Sequence, residues 1–165
     1  MTNRRKSQSD DSMVYSTTEW ARRIHGECTE VLQILERDFG FEISESEHKT
    51  AYVAMTAQNS LTFIAISWDP RDGFMYWIGP TQKGIVPSVP VHPNLKASLP
   101  RYEIDLIAAV KTDGTLPTIR GKNNSTLESL SNAITYLVKH AADLLQGDWS
   151  CRDELDARFR KHSGH

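Results

Sequence analysis

A chain of 165 residues, 39% of them hydrophobic, is one domain's worth and can build a substantial core, because chains of about 150 residues bury roughly two-thirds of their unfolded surface. The 19 Lys and Arg against 21 Asp and Glu leave a formal net charge of −2, which removes the electrostatic case for a nucleic-acid or anionic-membrane surface. No apolar run approaches the ~20 residues of a membrane span and no apolar segment follows the basic Arg4, Arg5 and Lys6, so a cytoplasmic protein with no membrane partner is expected.

Residues 1–15 are polar and poor in apolar side chains, the composition of a solvated tail that cannot repay its ordering entropy. The folded domain is expected over residues 16–165. Ser16-Thr17-Thr18-Glu19 has the spacing of a capping box and opens a helical stripe of Trp20, Ile24, Cys28, Val31, Leu32, Leu35 and Phe39. Gly40 ends this helix, as a glycine beyond a C-terminus should. Cys28 lies on the apolar stripe, and with Cys151 as the one other cysteine the expectation is two reduced thiols.

Phe41 to Ile43 begins a short strand, Ser44 to Lys49 reads as a connection, and three strands follow: Lys49 to Ala57, Leu61 to Trp68 and Phe74 to Gly79. Their β-branched and aromatic content suits a pleated sheet, and the linkers between them are too short for crossovers, so both connections are expected to be hairpins. If Trp68 stands opposite Phe74, then Ile64, Ile66 and Trp68 share a core face with Phe74, Tyr76 and Ile78. A two-residue Asn59-Ser60 turn adds Val53, Met55 and Ala57 to that face. The opposite face then carries Tyr52, Ala54, Thr56, Phe63, Ala65, Ser67, Met75 and Trp77.

Ile85 to His92 reads either as a fourth, edge strand or as irregular chain, because Pro87 and Pro90 lack the ladder donor. The spacing of Pro87, Pro90 and Pro93 also matches a turn of polyproline II. A helix is expected from Pro100 to Val110, with Tyr102, Leu106, Ile107 and Val110 on one side, ending at Asp113-Gly114. Arg120 to Asn124 is a loop. A second capping box at Ser125-Thr126-Leu127-Glu128 opens the clearest helix of the chain, with Leu127, Leu130, Ile134, Leu137, Ala141 and Leu144 in line. Gly147 closes it, and a final helix carries Leu155 and Phe159.

The segment Tyr136 to Phe159, YLVKHAADLLQGDWSCRDELDARF, is similar to the C-termini of small uncharacterised bacterial α+β proteins in which a helix ends in Leu-Leu-x-Gly-Asp before a last short helix. Those proteins also carry a strand ending in Asp-x-Arg, which looks like Asp69-Pro70-Arg71. Some proteins of this build are immunity factors that bind and silence a toxin. The resemblance implies protein binding and transfers no catalytic residue.

A catalytic centre is not legible. His25, His48, His92, His140, His162 and His165 are scattered without zinc-ligand spacing, and there is no phosphate-binding glycine loop or nucleophile elbow. No catalytic residue, cofactor or metal ligand is assigned. The expected fold is α+β, an antiparallel meander of three to four strands packed by the N-terminal helix and C-terminal helices. Two functions follow from it. The first is a non-catalytic protein-binding module, of immunity type by the resemblance, whose partner meets Tyr52, Phe63, Met75 and Trp77; homodimerisation is another use of the same face. The alternative is a small-molecule-binding protein or enzyme with a pocket near the second hairpin, using Trp68, Asp69 and Arg71, with Tyr102 or Arg120 at its mouth. A concave pocket of several hundred Å³ discriminates for the second, a flat exposed apolar patch for the first.

Overall fold

In the computed structural model, the described residues are 17–49, 52–69, 72–88, 99–113 and 127–163. The N-terminal tail, Arg71, Pro90, Pro93 and the Arg120 to Asn124 loop lie outside them. The elements run α1 (Thr17–Phe39), β1 (Glu42–Lys49), β2 (Tyr52–Gln58), β3 (Thr62–Asp69), β4 (Gly73–Pro80), β5 (Tyr102–Glu103), α2 (Ile104–Lys111), α3 (Leu127–His140), α4 (Ala142–Leu145) and α5 (Arg152–His162). The strands form one antiparallel sheet in sequence order, so the α+β meander is present with five strands.

The faces follow the alternation of the sequence. Trp68 pairs with Phe74, Ile66 with Tyr76 and Ile64 with Ile78, as the apolar pattern requires. The first hairpin differs from expectation: Ala57 pairs with Ile64 and Gln58 with Phe63, so Ser60 and Leu61 make the turn instead of Asn59 and Ser60. The cause is the Asn59 side chain. Its Oδ1 accepts from the backbone N–H groups of Leu61 (2.9 Å) and Thr62 (2.8 Å), and the Asn59 N–H donates to Thr62 O (2.9 Å). The resulting shift of pairing is two residues, which preserves side-chain parity, so Val53, Met55 and Ala57 still face the core.

Against this inner face lie Ile24, Cys28, Leu32 and Leu35 of α1 and Leu130, Ala133, Ile134 and Leu137 of α3, all buried. The core's hydroxyl groups are paired within it, Tyr76 with Ser129 at 2.9 Å. Gly40 ends α1 with φ +66°, and the Phe41 and Gly40 N–H groups bond back to Leu35 O and Glu36 O, both at 3.2 Å.

Three further expectations are corrected and one open alternative is decided. Ser44 to Lys49 is not a connection: it belongs to β1, an edge strand with a bulge between Glu45 and Glu47, and its polar, charged sequence hid a strand that presents Ile43 opposite Ala57 to the core. For Ile85 to His92 the irregular alternative holds over the described part: Ile85 to Ser88 contains no strand, only an isolated bridge between Gln82 and Ile85. The neighbour of β4 is instead β5, where Tyr102 pairs with Ile78, so the helix expected from Pro100 begins at Ile104. Finally, the long C-terminal helix breaks at Ala141 (φ −135°, ψ 29°) into α3 and α4.

Candidate functional site

The β5 pairing sets the geometry of the site. Tyr102 turns inward opposite Ile78 and is buried, while Glu103 stands beside Trp77 on the outer side and leads directly into α2. Consecutive residues of a strand point to opposite faces, so these two residues stitch the sheet edge into the core and present a carboxylate next to an indole.

The inward anchor is a polar network spanning the sheet edge and α5. The Tyr102 hydroxyl donates to Asp156 Oδ1 at 2.7 Å, and the Leu99 N–H donates to the same oxygen at 3.2 Å. Arg152, one helical turn before Asp156, donates through Nε to the Tyr102 oxygen (3.3 Å) and through Nη2 to Leu99 O (2.8 Å). Asp156 is 4% exposed, and a buried carboxyl group is tolerated when bonds of this kind satisfy it. Burial, with the bond to Asp156, pushes the Tyr102 phenol well above its usual range, so it stays protonated and keeps donating. Trp149 stacks on Tyr102 with ring centroids 6.1 Å apart and donates to Thr62 Oγ1 at 3.1 Å, tying the network to the first hairpin.

Above this anchor is a half-open cavity of about 520 Å³. Its apolar walls are Trp77 of β4, Leu99 and Pro100, Leu106 and Ala109 of α2, and Phe159 of α5. Its polar lining is Arg101, Glu103, Asp105, His162 and Ser163. The Arg101 guanidinium lies 4.3 Å from the centroid of the Trp77 ring, a cation–π arrangement. His162 Nδ1 is 2.9 Å from the Arg158 carbonyl oxygen; a carbonyl only accepts, so Nδ1 is the donor.

Trp77 and Arg101 also line a smaller recess of about 200 Å³ on the outer sheet face, floored by Thr56, Phe63, Ala65 and Ser67 and flanked by Val86 and Pro87. The chain after β4 thus returns over this face. At Gly79 a Cβ would sit 2.4 Å from Pro100 O and 2.9 Å from the Phe63 ring, so only glycine admits this close approach.

The sequence-predicted site residues are dispersed. Phe63 is 1% exposed beneath that returning segment, whereas Met75 and Trp77 keep partial exposure on the outer face; Tyr52 is in β2. Trp68 is packed into the inner core at 2% exposure, which takes it away from any surface at the second hairpin. Asp69 Oδ1 accepts the Asp72 N–H at 2.8 Å, closing the turn locally. The cavity therefore lies at the β5 edge, and of the expected residues that are described Trp77 and Tyr102 line it.

Sequence reasoning missed Arg101, Glu103, Asp105, Phe159 and His162, because they converge from segments some fifty positions apart. One signal was legible: Arg152 and Asp156 are spaced i, i+4 on the same side of α5 as the apolar Leu155 and Phe159, an unusual place for two charges unless they are paired inside. Among the described residues no group of three His, Cys, Asp or Glu side chains is arranged to hold a metal ion, and no helix is long and apolar enough to cross a membrane. Both cysteines are free thiols. Compared with known proteins, the chain matches no family model, no curated protein and no solved structure.

Proposed function

We propose that this is a ligand-binding protein that takes up a small, largely apolar molecule in the cavity between β5, α2 and α5. The observation that carries the reading is the cavity itself: about 520 Å³, walled by apolar side chains from three elements, with a few polar groups converging on it. That size and composition is usual for small-molecule sites, which range over roughly 300–1,000 Å³. The buried Asp156–Tyr102–Arg152 network favours a preformed pocket, since it holds β5 and α5 apart at a set distance and lowers the ordering cost of binding. The test is a thermal-shift screen of a small-molecule library against the wild type and Ala109→Trp, which fills the cavity from the α2 wall. Hits that raise the melting temperature of the wild type and not of the folded variant support the reading; hits that stabilise both alike place binding elsewhere and sink it.

A second reading, protein binding, is favoured by a different observation. Met75 and Trp77 stand two residues apart on β4 with partial exposure on the outer face, beside the 200 Å³ recess. Aromatic and methionine side chains are enriched in interface cores. Capture of one dominant protein from a host extract by the wild type, lost in Met75→Asp but not in Ala109→Trp, would support this surface over the cavity; equal loss in both variants, or none, would count against it.

A further inference from the structure

We infer that the ligand of the β5 cavity is a cation, an organic amine or amidine carried on an aromatic or aliphatic body; this rests on the cavity reading above and adds the charge class to it. The body is set by the walls, where Trp77, Phe159 and Leu106 offer flat and branched apolar surface. The charge follows from a count of what faces the cavity. Glu103 and Asp105 contribute two carboxylates and Arg101 one guanidinium, with its charge held over the Trp77 ring. The His162 Nδ1–H is taken up by the Arg158 carbonyl and does not point a donor at the ligand.

The helix ends nearly cancel. The N-terminus of α2, at Ile104, brings about half a positive charge, and the C-terminus of α5, at His162, about half a negative one. The sum over the carboxylates and the guanidinium is close to one negative charge. A carboxylate has two oxygens and about four acceptor sites, so Glu103 and Asp105 can each serve more than one donor. Complementing the α2 N-terminus is the structural role open to both acidic residues, but that dipole is worth only about half a charge and two carboxylates exceed it. An anionic ligand would meet one guanidinium, already stacked on an indole, and two carboxylates. An ammonium would meet the carboxylates of Glu103 at β5 and Asp105 on α2, with its body between α2 and α5.

The experiment uses a matched trio of naphthyl probes bearing an ethylamine, an ethanol or an acetate arm, titrated calorimetrically into the full-length protein. The expected order is amine over alcohol over acetate, with about a five- to tenfold preference for the amine over the alcohol, the scale of a charge-assisted hydrogen bond at a half-exposed rim. In the double variant Glu103→Gln/Asp105→Asn the amine falls to the affinity of the alcohol while the alcohol is unchanged, which also shows that the pocket is still folded. Raising the salt weakens the amine and not the alcohol in the wild type. If the acetate binds as tightly as the amine, or the amine keeps its advantage in the double variant, the charge inference is overturned and the cavity reading stands. If none of the three binds, the cavity reading fails, and the charge inference with it.

Discussion

The Tyr102 hydroxyl donates a 2.7 Å hydrogen bond to Asp156, 54 positions further along the chain, and this bond joins the last strand of the sheet to the last helix beneath the candidate site. Both groups are buried, so neither can exchange its partner for water. Removing one partner therefore costs more than the bond's net worth, because the other is stranded in a low-dielectric environment. Tyr102→Phe is expected to lower stability by about 1–3 kcal/mol in urea unfolding, and Asp156→Ala by more, since it strands both the phenol and the Leu99 N–H. The double variant should cost less than the sum of the two. An Asp156→Ala protein as stable as Tyr102→Phe would mean that the network is not what anchors β5.

Two glycines should respond in opposite directions. Gly147 has φ +89°, and a Cβ there would lie 2.6 Å from the Leu61 side chain, so Gly147→Ala combines backbone strain with a clash and should cost about 1–3 kcal/mol. Gly26 sits within α1 with nothing within 4 Å of a new Cβ, so Gly26→Ala should stabilise by about 0.5–1 kcal/mol. Differential scanning calorimetry of the two variants would show both signs.

Asn59 joins three elements at one end of the molecule. Its Nδ2 donates to Phe39 O (3.2 Å) at the end of α1 and to Leu145 O (3.0 Å) at the end of α4, while its Oδ1 holds the hairpin. Asn59→Ala should cost about 2–3 kcal/mol and speed hydrogen exchange at the Leu61 and Thr62 amides. Asn59→Asp keeps the acceptor, loses the donor, and sets a negative charge against two helix C-termini. It should therefore be no better than alanine, despite its similar shape; an aspartate variant close to wild type would show that the two helix-end bonds contribute little.

Burial raises the Cys28 thiol from 9.0 to about 12. At pH 8 in native protein a thiol reagent should modify Cys151, which is half-buried, slowly and leave Cys28 untouched until the protein unfolds.

The same shift sets the alkaline limit of stability. The folded state holds the Cys28 proton more tightly than the unfolded chain does, so this contribution is fully present below pH 9 and drains as pH rises from 9 towards 12. Tyr76 and Tyr102, also raised by burial, add losses of the same sign above about pH 10. The unfolding free energy from urea titrations should fall with a slope approaching about 1.4 kcal/mol per pH unit per group, with the midpoint falling in step, and Cys28→Ala should remove the part that begins at pH 9. A flat midpoint from pH 8 to pH 11 would contradict the burial of all three.

Much of the fold was legible because it depends on neighbours in sequence. The period-two run from Val53 to Ile78 assigned the core face, and that assignment withstood a two-residue error in the first hairpin, since parity survives an even shift. The cap positions Ser16 and Ser125 lie outside the described residues, but apolar periodicity and glycine stops marked α1 and the α3 region for the same reason: the signals lie within a few turns of one another. Only the start of β1, at Glu42 and Ile43, was legible; Ser44 to Lys49 was not, because an edge strand needs few apolar residues and this stretch has the polar composition of a loop.

The candidate site was decided by tertiary structure. Trp77, Glu103 and Phe159 carry no local mark of a shared cavity; they meet because β5 adds to β4 by two residue pairs and α5 docks through Asp156. Composition and periodicity alone settled an α+β domain with an antiparallel meander and its inward face, because burial of apolar surface acts on every residue of that face at once. Where the cavity opens, and which charges line it, depended on a few long-range hydrogen bonds, whose partners are selected by three-dimensional proximity and leave no period in the chain.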